Sequence, residues 1–476
     1  MPTKVPQPIV DLLAEHGQSH LCAWWNDLSD AQRDQLVRQI QQIDFDQVAH
    51  LVGKLVTGDH TVAAAAAHPE PPASVERLPK SEDDHARWNE AKARGLDLLA
   101  GGKVAAMVVA GGQGSRLGFD HPKGMFPIGP VSDRTLFQLY FEQLDALAEK
   151  VGHAIPYFIM TSEATDKPTK DFLDDQEFFG YSPHDVYIFQ QGWLPAVDED
   201  GRILLADKGT IATSPDGHGG MLRALHRSGL LEVMGDRGIE SIYYHQVDNP
   251  TAILCDPVFL GLHKRHQSQL STKVVAKVDA AEKMGVVVDV DGVTQIIEYC
   301  DLPDEQASRT GADGGLLLWA GNTAAHCFER SFLDDLTADG APGLPYHKAH
   351  KKVAHLDLET GRVVEPSEPN AFKFEQFIFD AMPEAKVALV VESDRALEFN
   401  PVKNAEGSDS PQTARKALAN IARNWVEQSG GHVAEEAVVE ISPRFAIDQE
   451  TFAATPEASD HFEKDTVLEA PQAAET

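Results

Sequence analysis

The stretch Val108-Val109-Ala110-Gly111-Gly112-Gln113-Gly114-Ser115-Arg116-Leu117-Gly118, with Pro122-Lys123-Gly124 just beyond it, holds the residue types best suited to chemistry. An apolar run ends in glycines, and two cations follow at short range. Glycine lets backbone N–H groups approach a polyphosphate, because no Cβ intervenes and φ > 0 is open to it. Arg116 offers a forked contact to phosphate oxygens and Lys123 a point charge. Two familiar phosphate loops do not fit. A P-loop needs Lys directly after its last glycine and then Ser or Thr, and a dinucleotide fingerprint needs G-x-G-x-x-G opening a helix. Gly112, Gly114 and Gly118 are spaced one residue too long for the fingerprint, and Pro122 discourages a long helix at the loop. That spacing, and Arg116 inside the loop, argue against a nicotinamide-dependent oxidoreductase. A plain glycine-rich turn is the simpler alternative, but it needs neither cation.

These residues resemble the signature of sugar-nucleotide pyrophosphorylases, and more narrowly that of the eukaryotic-type UDP-N-acetylglucosamine pyrophosphorylase family, with G-G-x-G-[ST]-R-L-G and P-K-G at this spacing. Further blocks of that family follow in order: Gln190-Gln191-Gly192-Trp193-Leu194-Pro195, Pro215-Asp216-Gly217-His218-Gly219-Gly220, Val247-Asp248-Asn249, Gly285-Val286-Val287 leading to Glu298-Tyr299, Gly321-Asn322, Phe372-Lys373-Phe374-Glu375 and Pro401-Val402-Lys403-Asn404. The resemblance spans residues 12 to 425. It implies a nucleotidyltransferase in which a sugar 1-phosphate oxygen attacks the α-phosphorus of UTP and expels pyrophosphate. The attacking group is already an anion, so the protein must supply in-line positioning and charge neutralisation, not a general base.

The resemblance assigns Arg116, Lys123, Lys373 and Lys403 to the phosphates. Lys373 sits between Phe372 and Phe374 on a strand-like stretch, and alternation sends it to the face opposite both rings. Asp248 matches the family's metal ligand, and a carboxylate at a strand end suits Mg2+, which takes one or two carboxylates with waters and phosphate. The alternative for Asp248 is an Asx cap of the next helix. No second protein ligand is apparent. Gly111, Gly112 and Gly114 fall in the nucleotide loop. Gln191 offers a donor and an acceptor side by side for the imide edge of uracil, with Gly112 and Gly217 implied as backbone partners and His218 beside them. Gly285, Glu298 and Asn322 match the sugar contacts, and Phe377 and Phe379 the aromatics that face an N-acetyl methyl. The family usually has Asn at position 218 and an aliphatic residue at 323, where this chain has His218 and Thr323. A His-containing version is similar to UDP-glucose and broad UDP-sugar pyrophosphorylases, so either of these is the alternative to N-acetylglucosamine. A non-catalytic UDP-sugar-binding protein would not need the full cation set with Asp248.

The chain has 476 residues and a formal net charge of −33 at pH 7. Such a field repels nucleic acid and anionic membranes, and it repels nucleotides too, so their site must be locally basic or metal-assisted. Cys22, Cys255, Cys300 and Cys327 are scattered without metal-ligand or disulfide spacing and read as reduced thiols. With no leader-like opening and no apolar run of membrane-spanning length, a soluble cytoplasmic protein is expected. Composition does not indicate an oligomeric state.

The elements that must position these residues are a helical N-terminal domain over 1–97 with a linker at 56–80, a catalytic domain over 98–395, a small domain over 396–447 and an acidic disordered tail over 448–476. Ser29 with Gln32 starts one helix, Ser81 another running to Leu99, and Trp24 and Trp25 read as core or docking aromatics. Strands are expected at Val104–Ala110, Ile155–Met160, Val186–Phe189 and Ile242–Val247, with helices over 135–150 and 220–234. This is an α/β pattern, a doubly wound, mostly parallel sheet, and the resemblance makes it the Rossmann-like nucleotide-diphospho-sugar transferase fold. Ligands of such sheets bind at the carboxyl ends of the strands. A hairpin with Asp291-Gly292 as its turn follows, then a helix over 413–425 and a short strand at 438–441.

Overall fold

The computed structural model describes residues 4–58, 68–341 and 343–470. Its chain divides into two units, one made of 1–64, 191–224 and 342–380, the other of 65–190, 225–341 and 381–476.

The larger unit is built on a ten-stranded sheet. Its strands are β1 (Val75–Glu76), β2 (Val104–Val109), β3 (Tyr157–Thr161), β4 (Val186–Gln190), β5 (Ser241–Gln246), β6 (Leu270–Ala276), β7 (Val286–Val290), β8 (Val293–Ile297), β9 (Ala320–Glu329) and β10 (Ala388–Glu392). The order is β1-β10-β6-β9-β5-β2-β3-β4, with the β7–β8 hairpin attached to β9. Along that path only β9 runs against its neighbours, β6 and β5. The fold class is therefore α/β with a mostly parallel sheet. β2 is apolar because it is covered on both faces: Val104, Ala105, Ala106, Met107 and Val108 are all buried. It pairs in parallel with β5 from Val104 opposite Ser241 to Val109 opposite Gln246. Helices Leu136–Val151 and Glu163–Asp175 follow β2 and β3, the first capped by Thr135 and ended by Gly152 at φ 71°. The helix expected over 220–234 is two short ones, Met221–Arg227 and Leu230–Asp236, because Gly229 adopts φ 69°. The hairpin turn has Asp291 at φ 53° and Gly292 at φ 82°, as a type I′ turn requires.

The smaller unit joins distant pieces of chain. Helix Asp30–Gln42 starts at a Ser29–Gln32 capping box, and Leu36 and Ile40 are fully buried against a core that includes Leu194, Val197, Ile203, Leu356 and Phe374. Trp25 belongs to this core, and Trp24 packs beside it under the Lys208 ammonium, 4.3 Å from the ring. Strands Tyr346–Lys351 and Ala371–Gln376 form an antiparallel ladder here.

The catalytic domain expected over 98–395 gives up 191–224 and 342–380 to the smaller unit, and 396–447 falls in the larger unit and not in a unit of its own; three further boundaries differ from the sequence reading. The N-terminal helices share their core with residues far along the chain, while helix Glu82–Ala100 belongs to the larger unit, so 1–97 is not one body. Of the linker at 56–80, residues 59–67 lie outside the described residues, and Val75–Glu76 is an edge strand paired with β10. The third difference is the segment after 447. Through residue 470 it is folded: helix Gln449–Ala453 starts at an Asp448 cap, His461–Phe462 pairs with His432–Val433, and Thr466–Leu468 pairs with Val439–Ile441. Phe452 is fully buried with Val426, Val433 and Val439. Sparse aliphatics hid this segment, since two aromatics, Phe452 and Phe462, and two short ladders tie it to residues already placed. Residues 471–476 lie outside the described part.

Phe452→Ala should cost about 3–5 kcal/mol, the usual range for emptying a buried aromatic site. Truncation after Ile447 should lower the melting temperature by more than about 5 °C. Thermal scans checking both would contradict the packing if the truncated chain melted like the full one.

Candidate active site

The loop after β2 closes on itself. Lys123 N–H donates to the Gly112 carbonyl at 3.0 Å, Gly114 N–H to His121 at 2.9 Å, and Leu117 N–H to Gly114 at 2.7 Å. Ser162 Oγ holds the Gly111 carbonyl at 2.8 Å. Only short turns, Ser115–Leu117 and Lys123–Met125, occur before the helix at Leu136. The glycines serve different ends. Gly118 takes φ 69°, and a Cβ on Gly114 would lie 2.7 Å from the Phe119 ring. At Gly112 neither reason applies: a Cβ there would meet nothing within 4 Å. Arg116 is exposed and forms no ion pair among the described residues, so the loop presents it unspent.

Lys123 reaches toward the end of β5. Its Nζ lies 3.7 Å from the Asp248 carboxylate, with the two side chains 17% and 14% exposed. This is a loose pair in a half-buried place. Asp248 caps no helix, since the next one, Pro257–Arg265, is capped by Asp256. Its carbonyl instead accepts the Val402 N–H at 2.7 Å, which brings the Pro401–Lys403 segment alongside. Lys403 Nζ sits 5.4 Å from the centroid of the Phe399 ring. Its N–H donates to the carbonyl of Asp409, a residue at φ 52°. Burial raises the Asp409 carboxyl above its ordinary range, Lys403 opposes this, and Asp248 and Glu282 add to it. Lys123, Asp248, Lys403 and Asp409 thus form one electrostatic neighbourhood in the larger unit. Nothing in the local pattern around Gly407-Ser408-Asp409-Ser410 announced the second carboxylate.

Gly285, Glu298 and Asn322 also come together in that unit. Asn322 N–H donates to the Gly285 carbonyl at 2.8 Å, and a side chain on Gly285 would meet the Glu298 carboxylate at 3.1 Å. Asn322 Oδ1 accepts the Ala324 N–H at 2.9 Å across a bulge in β9 that puts Ala324 at φ 58°. Thr323 lies in the same bulge, and its hydroxyl donates to the Lys273 carbonyl at 2.8 Å. The departure at position 323 is therefore spent on satisfying buried backbone.

Gln191, Gly217, His218, Lys373, Phe377 and Phe379 belong to the smaller unit. Gly217 has φ 86°, and a Cβ there would lie 2.4 Å from the Gln376 carbonyl, so the turn after Pro215-Asp216 packs directly on the Ala371–Gln376 strand. Lys373 stands opposite Ala349 in the ladder, while Phe372 stacks on His350 and Phe374 is buried. His218 stacks on Phe377 at 5.4 Å and lies 5.6 Å from Phe379, with the two phenyl rings 5.1 Å apart. His347 also stacks on Phe377, at 4.6 Å, and pairs with Asp380 at 2.8 Å. His218 Nδ1 accepts the Ile378 N–H at 3.1 Å, which leaves the ring proton on Nε2. Desolvation, with His347 nearby, lowers its pKa from 6.5 to about 4. His218, Phe377 and Phe379 are thus one neutral aromatic cluster. The motif spacing did not show that His347 and Asp380 buttress it.

The chain matches the family model described as UTP–glucose-1-phosphate uridylyltransferase over residues 62–471. It is 38% identical over 433 residues to UDP-N-acetylhexosamine pyrophosphorylase-like protein 1 of Mus musculus, covering 88% of this chain and 85% of that protein. It is 34% identical over 453 residues to the UDP-N-acetylglucosamine pyrophosphorylase of Saccharomyces cerevisiae, covering 91% and 94%. A crystal structure from Entamoeba histolytica, described as a candidate UDP-N-acetylglucosamine pyrophosphorylase, superposes with TM-score 0.74 at 32% identity, over 84% of this chain and 99% of that one. The inhibitor-bound uridine diphosphate N-acetylglucosamine pyrophosphorylase of Trypanosoma brucei shares the fold, with TM-score 0.80 at 23% identity over 97% and 99%. The chain belongs to the UTP–glucose-1-phosphate uridylyltransferase family, among its UDP-N-acetylglucosamine pyrophosphorylases.

A group whose folded pKa lies below its unfolded one resists protonation in the folded state. For His218 the window runs from pH 6.5 down to about 4: the unfolded chain takes up a proton there that the folded chain refuses, so folding stability falls. Denaturant unfolding at pH 7 and pH 5 should therefore differ less in His218→Asn than in the wild type. An equal difference in both would mean that His218 charges freely in the folded protein.

Proposed function

We propose that this chain transfers the uridylyl group of UTP to N-acetylglucosamine 1-phosphate, forming UDP-N-acetylglucosamine and pyrophosphate. The observation that supports it best is the cation set gathered at the ends of β2 and β5: Lys123 beside Asp248, the Lys403 segment bonded to the Asp248 carbonyl, and Arg116 without an ion pair among the described residues. In a protein of charge −33, cations left loosely paired suit an incoming anion better than they suit the fold. Gly112 suits the same reading, because with no Cβ and open space around it a ligand can approach its backbone closely.

The sugar 1-phosphate oxygen attacks the α-phosphorus as the bond to the β-phosphate bridge oxygen breaks, and the electron pair leaves on pyrophosphate. Lys123 and Arg116 offset charge gathering on the transferring and leaving groups, and Lys403 and Lys373 are assigned to phosphate with them. Asp248 would hold Mg2+, with Asp409 near enough to share its field. Its carboxylate has one ion-pair partner among the described residues, at 3.7 Å, so oxygen lone pairs remain for a hard cation. When bound, that ion screens polyphosphate charge. Of the groups assigned to the sugar, Glu298 and Asn322 in the larger unit supply hydroxyl and amide partners beside Gly285, and in the smaller unit Phe377 and Phe379 form an apolar wall suited to an acetamido methyl. A glucose-preferring or broader enzyme is the second reading, favoured by His218 standing within that wall. A cytoplasmic location is part of this proposal; no described helix is long and apolar enough to cross a membrane.

Lys123→Ala should cut turnover about a hundredfold or more with an unchanged melting curve, as expected for lost transition-state charge stabilisation. Arg116→Lys should also fail, since an ammonium does not reproduce the fork. Steady-state pyrophosphate release measures both, and near-normal rates would remove the loop from the chemistry. Asp248→Asn should raise the Mg2+ concentration needed for half-maximal rate and lower the maximum. An unchanged Mg2+ titration would leave Asp248 only its pairing with Lys123.

A further inference from the structure

Lys273 lies in the middle of β6 and is 2% exposed, a place where an unpaired ammonium is very costly. Its Nζ is 2.7 Å from Asp256, is bonded as well to the Glu398 carboxylate, and lies 5.6 Å from the centroid of the Phe259 ring. Burial pulls its pKa down, but the two carboxylates outweigh burial and hold it above the ordinary lysine value. The ammonium is permanent. None of these three groups belongs to the phosphate-binding set.

Each carboxylate nevertheless sits on a segment that carries a member of that set. Asp256 ends the segment that begins at Asp248, and Glu398 begins the one that leads to Lys403. The two segments are tied to each other. Asn249 Nδ2 donates to the Glu398 carbonyl at 2.7 Å, and Asn249 Oδ1 accepts the Asn400 N–H at 3.0 Å. Asn400 Nδ2 reaches Thr251 Oγ1 at 3.0 Å, and Val402 N–H reaches the Asp248 carbonyl at 2.7 Å. A buried ion network adds little stability over apolar side chains of similar volume. What one ammonium can do that a methionine cannot is hold two segments at once in fixed geometry.

We propose that Lys273 is a positioning residue: by drawing Asp256 and Glu398 onto β6 it fixes the two segments that present Asp248 and Lys403. The inference rests on the assignment of those two residues to metal and phosphate. Lys273→Met alone would leave two half-buried carboxylates uncompensated, and such a chain can fail to fold. The test therefore uses K273M/E398Q in the full-length protein, which removes one charge of each sign.

Amide hydrogen exchange should quicken about tenfold or more at Asn400 and Val402 while the β2 amides of Val104–Val109 exchange as in the wild type, which separates local loosening from lost global stability. Turnover should fall about tenfold or more, and the Mg2+ concentration for half-maximal rate should rise severalfold, with KM for the sugar 1-phosphate unchanged. Unchanged exchange at Asn400 and Val402 in a folded variant overturns the inference whatever the activity. Quickened exchange with wild-type turnover and Mg2+ dependence shows instead that Asp248 and Lys403 are not where the chemistry needs them, which overturns the reading beneath it.

Discussion

Everything at the candidate site of the larger unit follows from the parallel pairing of Val104–Val109 with Ser241–Gln246. Parallel neighbours end at the same edge, so the loop after one strand and the residue after the other must meet there. The glycine loop and Asp248 are more than a hundred residues apart in sequence, yet this pairing, with the loop folded back through the Lys123 N–H bond to Gly112, leaves Lys123 and Asp248 3.7 Å apart. The covered faces of β2 keep that register from slipping, because a one-residue shift would send every buried side chain to the opposite face, where the packing is shaped for a different one. Chemistry at the edge inherits its geometry from an apolar strand that takes no part in it.

Charge supplies the second constraint. A chain of net charge −33 repels nucleotides, and the structure separates cations held in close ion pairs from cations loosely paired or exposed. Arg134 is spent on Glu142, Glu440 and Glu469, and Lys273 on Asp256 and Glu398. Lys123 is held loosely, and Arg116 is exposed. The distinction cannot be made from residue type, since each is simply a basic side chain until its neighbours are known.

That limit also explains what could be read in the sequence and what could not. Strands β2, β3, β4 and β5 were legible to within two residues at each end, because buried parallel strands are continuous apolar runs bounded by polar residues or glycine. The motif residues were singled out by their order and spacing, and the structure gathers Lys123, Asp248 and Lys403 in the larger unit and Gln191, Gly217, His218 and Phe377 in the smaller. Contacts made over long separations were not. Phe452 and Leu468 fold the last segment against Val426 and Val439, though their own neighbourhood reads as acidic and poor in aliphatics. Leu36 and Ile40 complete a core with Val197 and Phe374. Thr323, which looked like a comment on the sugar, serves a bulge in β9. Lys273 was equally hidden, since its burial in β6 and its two carboxylate partners depend on Asp256 and Glu398 being brought beside it.

If the gathered cations act on the α-phosphorus of UTP for an N-acetylhexosamine acceptor, that phosphorus must end in the UDP-sugar. The most direct measurement is to follow UTP labelled at the α-phosphorus with N-acetylglucosamine 1-phosphate and glucose 1-phosphate as parallel acceptors. The account predicts label in the UDP-sugar, unlabelled pyrophosphate, and a kcat/KM preference for the N-acetyl sugar of roughly 10- to 200-fold, the range one methyl-sized contact supports. Label appearing in pyrophosphate, or no label transfer to either sugar, would contradict the transfer itself. Preference for glucose 1-phosphate would leave the transfer standing and show that the cluster of His218, Phe377 and Phe379 selects a different sugar.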